Sequence, residues 1–287
     1  MKVQKSYIDE GPTLYLVPTP IGNIKDMTYR AVEILKEVDY IYCEDTRVTK
    51  VLLSHFNINT PLLSYHSFNE ETQSAEIINK LNEGLNIALV TDAGLPGISD
   101  PGYYVSKNAI DSGFKVISLP GANAALTALV ASGLPSDKFY FHGFLPSKKT
   151  QRIKELKSLQ DIKVSIIFYE APHRIKKTLD DIYEVFGDRE IVIAREISKK
   201  FEEYTRANIS EIINQLSEVK GEIVLIVKGS KTTQLQKDLL NLSIYDHYEY
   251  YLEKGLTSKD AMKEVASDRN ISKSEVYKEV LERKTRE

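Results

Sequence analysis

IALVTDAGLPGISDPG, residues 87–102, decides the fold. Its first four residues are continuously apolar rather than alternating. That pattern belongs to a strand covered on both faces, as in a parallel sheet. The next twelve hold three glycines, two prolines and two aspartates. A buried strand that ends at once in a stiff, turn-rich, locally acidic loop is built to present that loop at the edge of a sheet.

The same strand signal recurs on both sides. Leu14–Val17 and Tyr40–Cys43 precede it, and Val116–Leu119 follows. The stretches between have helical spacing. Thr28–Val38 puts Ala31, Ile34, Leu35 and Val38 on one face, and Ser74–Leu81 does the same with Ile77, Ile78 and Leu81. Alternating strand and helix predicts an α/β domain. A second set of apolar runs, at 139–141, 164–169, 191–194 and 223–227, predicts a second α/β or mixed-sheet domain, joined to the first through a helical segment at 122–132. The last fifty residues change character. Thr257–Ala266 and Ser272–Leu281 read as two short helices about a tight turn, with Ser272 and Glu275 spaced as a capping box. Such a unit either contacts nucleic acid or packs on the body. The expected division is an N-terminal extension over 1–12, α/β domains over 13–121 and 122–230 with a ligand cleft between them, and a helix-turn-helix-like tail over 235–287.

Composition narrows the class. The 287 residues are 42% hydrophobic and 28% charged, with net charge −3. This is a globular balance without a field strong enough to grip any polyanion. The lone cysteine, Cys43, excludes an internal disulfide framework and points to a reducing, cytoplasmic setting. No apolar stretch approaches the roughly 18 residues of a membrane span.

Four apolar runs lead into loops rich in special residues: Pro18-Thr19-Pro20-Ile21-Gly22-Asn23, Glu44-Asp45-Thr46-Arg47, the 91–102 loop, and Pro120-Gly121-Ala122-Asn123. Any one is explained as a turn. Four at the carboxyl edge of one sheet predict a binding site. The chain has no G-x-G-x-x-G, no phosphate-cradling G-x-x-x-x-G-K-[ST] and no G-x-S-x-G, and its five histidines show no metal-ligand spacing. Loops with few cations suit an uncharged or zwitterionic ligand with a flat ring better than a polyphosphate.

LYLVPTPIGN, CEDTR, TDAGLPGISDPG, SLPGANAALTALVASGLP, FHGFLP and FYEAPHR follow one another in this order. Together they resemble the bacterial ribosomal RNA small-subunit methyltransferase I family, within the tetrapyrrole methylases, from about Leu14 to Gly229. The tail also resembles that family's C-terminal extension. The resemblance implies S-adenosylmethionine as methyl donor in a cleft between two domains, and a homodimer. It implies 2′-O-methylation of cytidine 1402 of 16S rRNA in the small ribosomal subunit. On this resemblance Pro18, Thr19, Pro20, Asp92, Gly94, Pro96, Ile98, Ser99, Ala122, Asn123 and Tyr169 are the expected donor contacts. Asp92 either accepts from the ligand or caps neighbouring backbone, and Tyr169 either walls the donor or belongs to the core.

Methyl transfer to a ribose hydroxyl needs in-line placement and a proton acceptor. Three clusters mix carboxylates with cations: 44–47, 170–174 and 195–196. Each is either an acceptor site or a set of structural ion pairs. Glu170 and His173 are the first candidates for proton handling, with Glu44, Arg195 and Glu196 beside them. Arg47 and Arg174 are candidate phosphate clamps. Lys148, Lys149 and Arg152 form a basic patch for RNA. Two other functions fit part of the pattern: a methyltransferase of the same superfamily acting on a tetrapyrrole or a protein side chain, and a non-enzymatic module that binds nucleic acid through the tail.

Overall fold

The computed structural model describes residues 3–6, 11–66, 70–216, 219–231 and 234–284. The extension expected over 1–12 lies partly outside them, as do the last three residues of the tail. The first half alternates β1 (Thr13–Leu16), α1 (Tyr29–Glu37), β2 (Tyr40–Cys43), α2 (Thr46–His55), β3 (Leu62–Ser64), α3 (Glu70–Asn82), β4 (Ile87–Leu89), α4 (Tyr103–Asp111) and β5 (Lys115–Ser118). All pairings are parallel, in the order β3-β2-β4-β1-β5.

Both faces of this sheet are covered, which is why its strands read as unbroken apolar runs. Tyr15, Val17, Ile41, Cys43, Ala88 and Val90 point to one side, where Ala31, Leu35 and Leu53 of α1 and α2 meet them. Leu14, Tyr42, Ile87 and Leu89 point to the other, against Ile77, Leu81, Val105 and Ala109 of α3 and α4. The chain leaves β1 towards β2 but leaves β4 across β1 to β5. Connections from these neighbouring strands therefore diverge to opposite faces, and a crevice opens at their carboxyl ends.

The second half runs α5 (Ala124–Ser132), β6 (Phe139–Phe144), α6 (Lys149–Leu159), β7 (Ser165–Glu170), α7 (Ile175–Phe186), β8 (Glu190–Arg195), β9 (Glu203–Asn208), α8 (Ile209–Gln215) and β10 (Ile223–Val227). Its sheet is mixed, in the order β6-β7-β10-β8-β9, with β6 parallel to β7 and the rest antiparallel. The central strand β10, IVLIV, is buried throughout. Helix α5 packs Ala125, Ala128 and Leu129 on Ile167, Val192, Val224 and Ile226. Asn123 starts that helix by accepting from the N–H of Leu126 at 3.0 Å, and Gly133 ends it at φ +82°. Ile21, from the loop after β1, joins this second core and ties the halves together. Ser198 adds a polar tie, donating to the Asp26 carboxylate at 2.7 Å.

Among the described residues the tail holds four helices where the sequence shows two: α9 (Gln234–Asn241), α10 (Ile244–Glu253), α11 (Ser258–Arg269) and α12 (Lys273–Lys284). The tyrosine-rich stretch is α10, and its Tyr248 is fully buried among Ala261, Val265, Val276 and Val280. The turn before α12 forms as its residues dictate. Asn270 is left-handed at φ +52°. The Ser272 N–H donates to Glu275 at 2.7 Å, and the Glu275 N–H to Ser272 Oγ at 3.2 Å. No helix among the described residues is long and apolar enough to cross a membrane.

Candidate active site

A cleft of about 370 Å³ lies between the two sheets. Ile21, Ala93, Gly94, Leu95, Ile98, Ser99 and Asp100 line it from the first half. Asn123, Ala124, Phe144, Tyr169, Glu170, Pro172, Ile197, Glu222 and Val224 line it from the second.

The 91–102 loop is held in one shape by its own residues. Gly94, Gly97 and Gly102 have φ of +89°, +83° and +149°, values that L side chains rarely adopt. A Cβ on Gly102 would stand 3.0 Å from the Gly97 nitrogen, so these two glycines pack backbone to backbone. Ser99 is left-handed too, at φ +64°. The buried Thr19 hydroxyl donates to the Thr91 carbonyl at 2.9 Å and fixes the loop to the one after β1.

Of the residues expected to touch the donor, Gly94, Ile98, Ser99, Asn123 and Tyr169 line the cleft. Pro18, Thr19, Pro20, Asp92, Pro96 and Ala122 do not. Pro18 and Pro96 are buried in the wall, and Pro18 packs under Gly121, where a Cβ would come within 2.6 Å of its ring. Thr19, Pro20 and Asp92 line a separate groove of about 220 Å³ instead. Asp92 also caps backbone, its Oδ1 accepting from the Asp45 N–H at 3.2 Å.

The electrostatics are one-sided. Asp100, Glu170 and Glu222 line the cleft, and among the described residues no lysine, arginine or histidine does. Glu170 pairs with Arg174 at 3.2 Å, and Glu222 with Lys199 at 3.2 Å. Asp100 has no cationic partner among the described residues. Burial, with the Glu44 charge behind it, pushes its carboxyl up to about 6. Thr91 stands between these two acids. Its hydroxyl donates to Glu44. Burial raises Glu44 as well, against the pull of that hydroxyl.

The expected proton-handling residues are placed otherwise. Glu170 touches the cleft, but it accepts from the Ala171 N–H at 2.8 Å and Thr178 Oγ1 at 2.5 Å besides pairing with Arg174. These contacts hold the entry to α7. His173 is exposed and outside the cleft lining. Arg195 pairs with Glu203 and donates to the Lys220 carbonyl at 3.3 Å, lining a groove beside β8 and β9. Glu196 accepts from Lys199 at 3.0 Å and from the Glu222 N–H at 3.1 Å. Both are structural pairs outside the cleft.

The phosphate candidates also divide. Arg47 extends into solvent with its side chain 88% exposed, paired with Asp45 at 2.6 Å. Lys148 is exposed, and Lys149 is exposed beside Asp181 and Glu184. Arg174 is mostly buried and donates to the Leu145 carbonyl at 2.8 Å. Arg152 corrects the expectation outright. It is buried, pairs with Asp181 at 2.5 Å, and donates to the Pro146 and Ser147 carbonyls at 3.1 and 2.9 Å, so it has no reach to an RNA phosphate.

Sequence reasoning gave a role to the first aspartate of the 91–102 loop and overlooked the second, Asp100. The signal was the strand-end position of Glu44, which places another acid beside that loop. Phe144 and Glu222 had no such signal, since only sheet pairing brings them to the cleft.

Residues 13–213 match the family model of the tetrapyrrole (corrin/porphyrin) methylases. The chain is 51% identical to ribosomal RNA small subunit methyltransferase I of Bacillus subtilis (strain 168), covering 92% of each. It is 44% identical to the protein of that name from Vibrio cholerae, covering 98% of this chain and 99% of that one. The chain belongs to the ribosomal RNA small subunit methyltransferase I family of tetrapyrrole methylases. Solved structures share the fold at low identity. Diphthine synthase superposes with TM-score 0.59 at 14% identity, over 79% of this chain and 93% of that one. Uroporphyrin-III-C-methyltransferase from Thermus thermophilus gives 0.53 at 16%, over 75% and 94%. Family membership makes this a methyltransferase, with the cleft as the place to look for its donor.

Proposed function

We propose that this methyltransferase binds S-adenosylmethionine in the cleft and methylates the 2′-oxygen of cytidine 1402 of 16S rRNA in the small ribosomal subunit. The observation that carries the donor assignment is the cleft's charge. A donor with a sulfonium and an ammonium against one carboxylate is net cationic, and this lining offers three carboxylates, of which Asp100 has no cationic partner, and no cationic side chain among the described residues. Ile98, Phe144, Tyr169, Ile197 and Val224 supply apolar walls for its adenosine. Phe144 and Tyr169 meet edge to face, with centroids 5.5 Å apart, as a fixed aromatic corner.

The donor supplies an electrophilic methyl group, so the protein's work is placement and proton removal. Asp100 is the group we assign to receive the hydroxyl proton. It lines the cleft, lacks a cationic partner, and has its affinity for protons raised towards neutrality. Arg47 and Lys148 are the exposed cations we assign to flanking phosphates. The likeness to relatives named for ribosomal RNA supports the acceptor class, and the resemblance of the motifs supports the nucleotide.

We also propose a cytoplasmic homodimer. Leu126 and Val130, one turn apart on α5, are 47% and 75% exposed and suit burial against a second copy. Residues 13–121 and 122–230 are read as two domains, with 235–287 appended. The test is incubation of the protein and labelled S-adenosylmethionine with small subunits from a strain lacking this activity, then mass mapping of the RNA. A 2′-O-methyl group on the decoding-site cytidine is the expected product. Label elsewhere, or none, overturns the acceptor.

A further inference from the structure

The groove that took Thr19, Pro20 and Asp92 away from the donor cleft lies against it. Thr91 and Asp92 line the groove, and the next residues, Ala93 and Gly94, line the cleft. One short segment of backbone, 91–94, is therefore shared as a wall. Across the groove stand Val48 and Val51 of α2, 48% and 72% exposed although apolar. Its volume of about 220 Å³ leaves room for one pyrimidine ring. Arg47 precedes Val48 on the same helix and reaches into solvent.

We infer that this groove holds an unstacked nucleobase of the acceptor RNA, and that Asp92 reads an exocyclic amino group on that base. The inference rests on the proposed function and adds to it a base-specific site. Single-stranded RNA is read by splaying a base out, packing its faces and hydrogen-bonding its edge. Val48 and Val51 offer the packing surface. Asp92 offers the edge contact: Oδ1 holds the Asp45 N–H, and Oδ2 takes no hydrogen bond among the described residues. A carboxylate accepts from the amino group of cytosine. Against the carbonyl at the same position of uracil it would face acceptor with acceptor. A base seated in this groove holds its nucleotide next to the cleft, with the ribose across the ring from the edge that Asp92 reads.

The experiment uses the full chain, saturating S-adenosylmethionine, and small subunits carrying either cytidine or uridine at the target. Wild type is expected to prefer cytidine. Asp92→Asn keeps an oxygen for the Asp45 N–H but also presents an amide that donates to uracil. Its kcat/KM on cytidine subunits should fall about ten-fold or more, and the cytidine-to-uridine ratio should fall with it. Calorimetric affinity for S-adenosylmethionine should not change. Val51→Trp fills the groove from an exposed position, and should lose activity on both subunits with donor affinity retained. An unchanged ratio in Asp92→Asn overturns the inference while leaving the proposed function standing. Loss of donor affinity in Asp92→Asn also overturns it, by placing Asp92 in the donor site. A wild-type protein that binds the donor and methylates neither subunit overturns both.

Discussion

Thr19 and Gly94 exchange two backbone hydrogen bonds. The Thr19 N–H donates to the Gly94 carbonyl at 2.9 Å, and the Gly94 N–H to the Thr19 carbonyl at 3.1 Å. This bridge closes the wall between donor cleft and groove. Gly94 keeps it at φ +89°, while a Cβ there would meet only Ile21 and the Ala122 carbonyl at ordinary contact distances, 3.5 and 3.8 Å. The penalty of Gly94→Ala is thus conformational, about 1–2 kcal/mol. Thermal unfolding should show a fall of a few degrees, and calorimetry a weaker affinity for S-adenosylmethionine. Gly121→Ala drives a methyl into the rigid Pro18 ring and should do more harm. Equal stability of Gly94→Ala and wild type would show that the wall has another way to close.

Asp100 gives a pH prediction with a definite sign. Burial, then Glu44, raises its folded-state value to about 6 from an ordinary value of 3.8. The folded protein therefore holds more protons than the unfolded chain between these limits. Asp100's contribution to stability falls as pH rises through that window. Asp100→Asn should be more stable than wild type at pH 7, and the difference should close below about pH 4. The same variant should lose about 10²–10⁴-fold in kcat while still binding donor. It should also lose the acidic limb near pH 6 in the kcat profile. A limb that survives in Asp100→Asn would move the proton acceptor elsewhere.

Its place beside Lys148 and Lys149 makes Arg152 an expected RNA contact, and the structure makes it a core residue. Removing one member of a buried pair leaves the other uncompensated, at about 3–5 kcal/mol. Lys149, 3.4 Å from Asp181, offsets part of this. Arg152→Ala should lower the unfolding midpoint in urea markedly, while Lys148→Ala leaves it unchanged and weakens subunit binding more steeply at low salt. Equal loss of subunit binding in both variants at matched folded fractions would restore Arg152 to the RNA surface.

These cases show what the sequence makes legible. Leu14–Val17, Tyr40–Cys43 and Ile87–Val90 announce a doubly covered parallel sheet because burial on both faces removes alternation. The loop at 91–102 announces itself because left-handed backbone requires glycine. Pairing across the fold leaves no local mark. Arg152 sits in a run with Lys148 and Lys149, and only its partner Asp181, on another helix, turns it inward. Helix α10 was hidden for a similar reason. Its buried face is built of His247 and Tyr248, residues with polar tips that do not stand out as an apolar stripe.

That face carries the last prediction. His247 is fully buried and stacks on Tyr251, with ring centroids 5.3 Å apart. Arg269 Nε donates to His247 Nδ1 at 3.1 Å, so the proton of the neutral ring sits on Nε2, 3.2 Å from Asp268. Tyr251 donates to the same carboxylate at 2.6 Å. Arg269 further donates to the Leu239 and Ser243 carbonyls at 3.0 and 3.2 Å, tying α9 and α10 to α11. Burial, then the Arg269 charge, lowers His247 below its ordinary 6.5, and Asp268 only partly opposes them. The unfolded chain then binds more protons below pH 6.5, and this contribution to stability is lost as pH falls through that value. Because the tail has its own core, acid should loosen α10 and α11 before the sheets. Hydrogen exchange at pH 7.5 and 5.5, corrected for intrinsic rates, should show lost protection in α10 and α11 and none in β10. His247→Gln keeps an acceptor for Arg269 without a titrating ring, and should abolish the difference. The same pH-dependent loosening in His247→Gln would assign it to another group.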